Sequence, residues 1–66
     1  MKISYDKEVG ILYIKVFDQA KIFETEEVAS GVLYDYDEFE NVVGIEIMIN
    51  KNPEVESQLK DLSSYL

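Results

Sequence analysis

The stretch GVLYDYDEFENVVGIEI, residues 31–47, decides how the chain reads: five acidic residues sit among and between two apolar runs. In VLYDYD (32–37), Val32, Tyr34 and Tyr36 fall on one side, and Leu33, Asp35 and Asp37 on the other. In VVGIEIMI (42–49), Val43, Ile45, Ile47 and Ile49 share one side, opposite Val42, Gly44, Glu46 and Met48. Alternation with period two marks half-buried strands. The polar residues between the runs then form the wet end of a hairpin.

The same period extends toward the N-terminus. KISYD (2–6) places Ile3 and Tyr5 together, and GILYIKVF (10–17) places Leu12, Ile14 and Val16 opposite Ile11, Tyr13, Lys15 and Phe17. That denser second run suits a central strand. KIFETEEV (21–28) carries Glu24, Glu26 and Glu27, as an exposed edge would, because charge discourages further strand pairing. The breaks at DQAK (18–21) and ASG (29–31) give the spacing of short strands in an antiparallel meander. Gly44 inside the last run marks a bulge or a close approach.

The period changes at NKNPEVESQLKDLSSYL (50–66). Asn52 suits an N-cap, Pro53 the first helical position, and Glu54 and Glu56 the positive end of a helix dipole. Val55, Leu59, Leu62 and Leu66 recur at helical spacing. The expected fold is α+β: a single domain over 1–66, with a five-stranded antiparallel meander over 1–49. A C-terminal helix over 52–65 then packs on the sheet or on a second subunit.

Composition narrows the chemistry. A chain of sixty-six residues buries only about 60% of the surface it exposes when unfolded, so its stability is marginal and a staple is usual. Without Cys or His it has no disulfide, no thiolate metal site and no imidazole base, which leaves oligomerisation, and a homodimer is expected. Fourteen acidic residues against six Lys, with no Arg, give a net charge of −8. A polyanion is repelled by nucleic acid and by anionic membranes and suits a basic protein partner. No apolar run reaches the roughly 20 residues of a membrane span. The chain opens on a strand pattern without a signal-peptide core, so a cytoplasmic location is expected.

The residues also carry a resemblance. MKISYDKEVGILYIKV followed by GVLYDYDEFENVVGIEI resembles a widespread family of very small prokaryotic proteins of unknown function. Its pattern opens M-K-I-x-Y-D-x-E-x-D-x-L-Y-I and continues G-V-x-V-D-Y-D-E-D-G-x-L-V-G-I-E-I-L. Lys2, Ile3, Tyr5, Asp6, Glu8, Leu12, Tyr13 and Ile14 match the opening. Gly31, Val32, Asp35, Tyr36, Asp37, Glu38, Val43, Gly44, Ile45, Glu46 and Ile47 match the continuation. Phe39-Glu40 replaces the Asp-Gly of a tight turn, and Gly10 stands where an Asp is usual. The resemblance implies a compact, mostly β fold and an antitoxin-like or partner-binding role, with no catalytic residues to carry over.

The carboxylates raise one further chemistry. Asp35, Asp37 and Glu46 fit positions 1, 3 and 12 of a calcium loop, but Phe39 and Glu40 occupy positions where the loop needs a ligand and a turning Gly. The three acids still share one side of the expected hairpin, with Asp35 and Glu46 close to opposite and Lys15 on a neighbouring strand. A carboxylate-based metal- or ligand-binding protein is therefore the alternative. The leading expectation is a non-enzymatic interaction module with no catalytic, cofactor-binding or metal residues. Ser4, Ser30, Ser57, Ser63 and Ser64 have no His to activate them, and Gly10, Gly31 and Gly44 are too far apart for a phosphate loop. Tyr5, Tyr13, Tyr34, Tyr36 and Tyr65 suit a sheet surface or a protein contact.

Overall fold

The computed structural model describes residues 1–54, 57 and 58. It contains five strands: β1 (Lys2–Asp6), β2 (Ile11–Lys15), β3 (Glu24–Ala29), β4 (Val32–Tyr36) and β5 (Val42–Met48). All neighbours pair antiparallel, in the order β1-β2-β5-β4-β3. The five antiparallel strands follow from the alternation, but two parts of the expected architecture are corrected.

The first correction is the meander. β2 pairs with β5 rather than with β3, so the chain forms a β1–β2 hairpin and a β3–β4–β5 unit joined side by side. β2 lying beside β5 while connected to β3 makes the last four strands a Greek key. The connection is the segment 16–23, the longest between strands. It must pass two intervening strands, about 14 Å at ordinary strand spacing, well within the ~26 Å that eight extended residues span. That requirement also shortens the strands it joins. The chain leaves the sheet after Val16, whose N–H donates to the Val43 carbonyl, and rejoins at Phe23, whose N–H donates to the Tyr36 carbonyl. The strands expected at 10–17 and 21–28 are therefore Ile11–Lys15 and Glu24–Ala29.

The second correction is the α+β class. Beyond the sheet the only helical element is a 3-10 turn, Ile49–Lys51, and no α-helix packs on the sheet among the described residues. Pro53, Glu54, Ser57 and Gln58 have helical backbone but define no element. Most of the expected helix, including Val55, Leu59, Leu62 and Leu66, lies outside the described residues. Asn52 shows a physical reason for the correction at the near end. Its side-chain amide donates backward, to the Met48 carbonyl at 2.9 Å and the Ser30 carbonyl at 3.4 Å. Its backbone N–H donates to the Ile49 carbonyl at 2.9 Å and closes the 3-10 turn, so Asn52 ends one helical turn and ties the end of β5 to the β3–β4 turn.

Register assigns the faces. Across the sheet, Tyr5 lies opposite Leu12, Leu12 opposite Ile47, and Ile47 opposite Val32. The next row runs Ile3, Ile14, Ile45, Tyr34 and Glu26. This is the apolar face, and the Tyr34 and Tyr36 rings meet on it edge-on with centroids 6.3 Å apart. The hydrophobic residues buried among those described, Leu12, Val43 and Ile49, all belong to the apolar sides read from the sequence. The edge strands β1 and β3 are exposed along their whole length.

Two turns differ in how they meet their backbone demands. In the β3–β4 turn, Gly31 has φ +71°, and a Cβ there would lie 2.9 Å from Lys51 Cβ. In the β4–β5 loop, Glu40 has φ 66°, a left-handed backbone that costs a non-glycine residue roughly 1–2 kcal/mol. Opposite responses are expected in urea denaturation. Gly31→Ala should lower stability by at least about 1 kcal/mol, and Glu40→Gly should raise it by about 0.5–1 kcal/mol. Equal and small effects would show that neither turn constrains the fold.

Candidate functional site

The other face of the sheet is polar, and its centre is Gly44. β5 pairs on both sides there: Lys15 of β2 and Asp35 of β4 are both opposite Gly44. The β4–β5 register runs unbroken from Val32–Ile47 to Asp35–Gly44 and shifts at a bulge between Asp35 and Tyr36, while Glu46 faces Leu33 and Tyr13. Asp35 and Glu46, expected close to opposite on one side, are diagonal neighbours on the same face.

The missing side chain at Gly44 is what the polar face is built around. The Tyr13 hydroxyl from β2 reaches across it and donates to Asp35 Oδ2 at 2.8 Å. Thr25 from β3 donates its hydroxyl to Asp35 Oδ1 at 2.7 Å. Asp35 is only 6% exposed, and a buried carboxylate is tolerated when its oxygens are hydrogen-bonded. Each oxygen here has a hydroxyl donor. A Cβ at Gly44 would lie 2.5 Å from the Tyr13 hydroxyl oxygen and 2.8 Å from Asp35 Oδ2, so no other residue fits without displacing the bridge.

Asp37 has a different task. Its Oδ1 accepts the backbone N–H groups of Phe39 and Asn41, each at 2.9 Å, and its Oδ2 accepts the Asn41 side-chain amide at 3.0 Å. The Asn41 side chain and then its backbone hold the Asp37 carboxyl below the ordinary aspartate range. The three acids singled out in the sequence are thus on separate duties: Asp35 in a buried bridge, Asp37 in a loop cap, Glu46 beside Tyr13. Among the described residues no group of three or more Asp and Glu side chains stands close enough to hold a metal ion. No helix among them is long and apolar enough to cross a membrane.

A second site lies at the end of the sheet where the 16–23 connection passes the β4–β5 loop. Ile22, Phe23 and Phe39 line a groove of about 390 Å³ together with Lys21, Asp37 and Glu38. An adjoining hollow of about 430 Å³ places Glu24, Glu26, Glu38 and Glu40 around Phe23 and Tyr36. Phe23 and Phe39 are 73% and 76% exposed, unusual for rings that are free to bury. Burial and then Glu26 raise the Tyr36 phenol above its ordinary pKa. The sequence alone offered no means of joining Phe23 to Phe39, because the β2–β3 connection could not be placed.

The bridge makes a pH prediction with a definite sign. Burial, and then the hydrogen bond to Asp35, push the Tyr13 phenol above 10. The unfolded chain ionises its tyrosines near 10, so the contribution of Tyr13 is complete below that pH and fades as pH rises through the higher folded value. Tyr13→Phe should cost about 1–3 kcal/mol at neutral pH, by leaving a buried oxygen without its donor. The same variant should flatten the loss of stability above pH 10. Urea midpoints measured from pH 7 to 11 check both, and an unchanged alkaline slope would remove Tyr13 from the account.

No curated protein and no solved structure matches the chain. A family profile described as a protein of unknown function (DUF2283) matches residues 2–49, which include all five strands. By that match the chain belongs to the DUF2283 family of uncharacterised small proteins.

Proposed function

We propose that this chain is a non-enzymatic, cytoplasmic interaction module that holds a basic protein partner, in the manner of a small antitoxin. The acidic, aromatic groove beside β3 carries this reading. Glu24, Glu26, Glu38 and Glu40 line a hollow with the exposed Phe23 ring and the half-buried Tyr36 at the end of an edge strand, within a chain of net charge −8. Aromatic side chains provide contact area, and the carboxylates steer a cationic partner toward them. Among the described residues β3 pairs only with β4, so its outer backbone edge can add a strand from the partner.

The alternative of a carboxylate metal site has no comparable support, since the oxygens of Asp35 and Asp37 already accept hydrogen bonds within the fold. Capture from source lysate, with the proteins identified, tests the proposal. The wild-type chain should retain a basic protein at 50 mM salt and release most of it at 500 mM, because exposed charge pairs are screened over that range. The Glu24→Lys/Glu26→Lys variant should lose capture while melting cooperatively. Salt-independent capture, or capture equal between the two chains, would overturn it.

A further inference from the structure

The two edges of the sheet are not alike, and the difference points to a second copy of this chain at β1. β3 is defended against its own kind. A two-fold pairing of β3 with itself centred on Thr25 sets Glu24 against Glu26, and one centred on Glu26 or Glu27 sets that residue against itself. Like charges directly opposite destabilise a strand pair. The bulge between Glu27 and Ala29 further interrupts that edge. β1 has none of these defences. It is five residues of unbroken strand, KISYD, without proline or bulge, and among the described residues only β2 pairs with it.

Its sequence is also self-complementary. In an antiparallel pair related by a two-fold axis through Ser4, Lys2 lies opposite Asp6 of the second copy and Ile3 opposite Tyr5, and every residue of β1 is paired. Centring on Ile3 or Tyr5 instead pairs only three residues of the strand and separates Lys2 from Asp6. Alternation fixes the faces: Lys2, Ser4 and Asp6 project to the polar side, Ile3 and Tyr5 to the apolar side. A two-fold axis perpendicular to the sheet keeps each face continuous across the join. Ile3 and Tyr5, 63% and 46% exposed in one copy, would then extend the apolar rows containing Leu12 and Ile14 into the next. One Asp6 oxygen, Oδ1, accepts the N–H groups of Glu8 and Val9, and Oδ2 remains for the ammonium of Lys2.

We infer that two copies join edge to edge through β1, centred on Ser4, to form one continuous ten-stranded sheet. This goes beyond the partner-binding proposal and does not rest on it: β1 and the acidic groove lie at opposite edges, so loss of the dimer and loss of partner capture are measured separately.

Because the chain has no cysteine, Ser4→Cys introduces a single one at the axis. Directly opposed residues of an antiparallel pair have Cα atoms about 4.5–5.5 Å apart, within disulfide reach. Under mild oxidation Ser4→Cys should become a covalent dimer at least tenfold faster than Glu26→Cys on β3. Sedimentation of the wild-type chain should show concentration-dependent association from 7.6 kDa to twice that mass. Lys2→Asp should weaken it about tenfold, since two ion pairs become two repulsions. Adding Asp6→Lys should restore it, with cooperative melting confirming that each variant folds. Where the Asp6→Lys chain fails to fold, the two cross-linking rates decide alone. Equal cross-linking rates, a 7.6 kDa particle at millimolar concentration, or species growing past the dimer would each overturn the inference.

Discussion

Gly44 is where the sheet is tied together. Among the described residues β5 is the only strand that pairs with both the N-terminal hairpin and the β3–β4 unit, and at Gly44 it has no side chain to keep them apart. Tyr13 therefore crosses β5 to reach Asp35, and Thr25 reaches the same carboxylate from the edge, so β2, β4 and β3 meet on the polar face over β5. The buried apolar set among the described residues is small, three side chains, so this polar tie carries weight that a thicker core would otherwise carry. A polar network with every member satisfied fixes register as well as adding stability. The regular β4–β5 register reaches as far as the Asp35–Gly44 pair and is broken by a bulge immediately after it.

The two faces and two edges consequently have different characters. The apolar face runs through the centre of the sheet, while the polar face hides its one buried charge beneath hydroxyls. One edge is acidic and bulged, and the other is regular and complementary to itself. Phe23 and Phe39, both exposed, meet at one end, where the long connection passes the β4–β5 loop. A molecule this small has few surfaces, and here each differs chemically from the next.

Much of this was legible from local alternation. The five strands and the apolar sides holding Leu12, Ile14, Ile45 and Ile47 follow from period two, because each residue's side is set by its immediate neighbours. The bulge or close approach expected at Gly44 is present, and the Phe39-Glu40 departure from the family pattern leaves a glutamate at φ 66°. What was not legible is non-local. Nothing in residues 16–23 states that they bypass two strands, so the strand order, the Tyr13–Asp35 bridge and the Phe23–Phe39 groove stayed hidden. Asn52 shows the same limit: its neighbours mark it as the start of a helix, and its contact with the Ser30 carbonyl, 22 residues away, has no local signal.

The long connection also divides the contacts of the fold into two kinds. Within the β1–β2 hairpin and within the β3–β4–β5 unit, partners are close in sequence and form at little entropic cost. The β2–β5 seam is different: pairing Lys15 with Gly44 closes a loop of about 30 residues, and that entropy is lost before the seam's contacts are gained. Cooperativity between the two local units passes through one strand pair, reinforced by a single phenol that spans it. The seam is thus the slow, decisive step by which two separately marginal hairpin units become one protein.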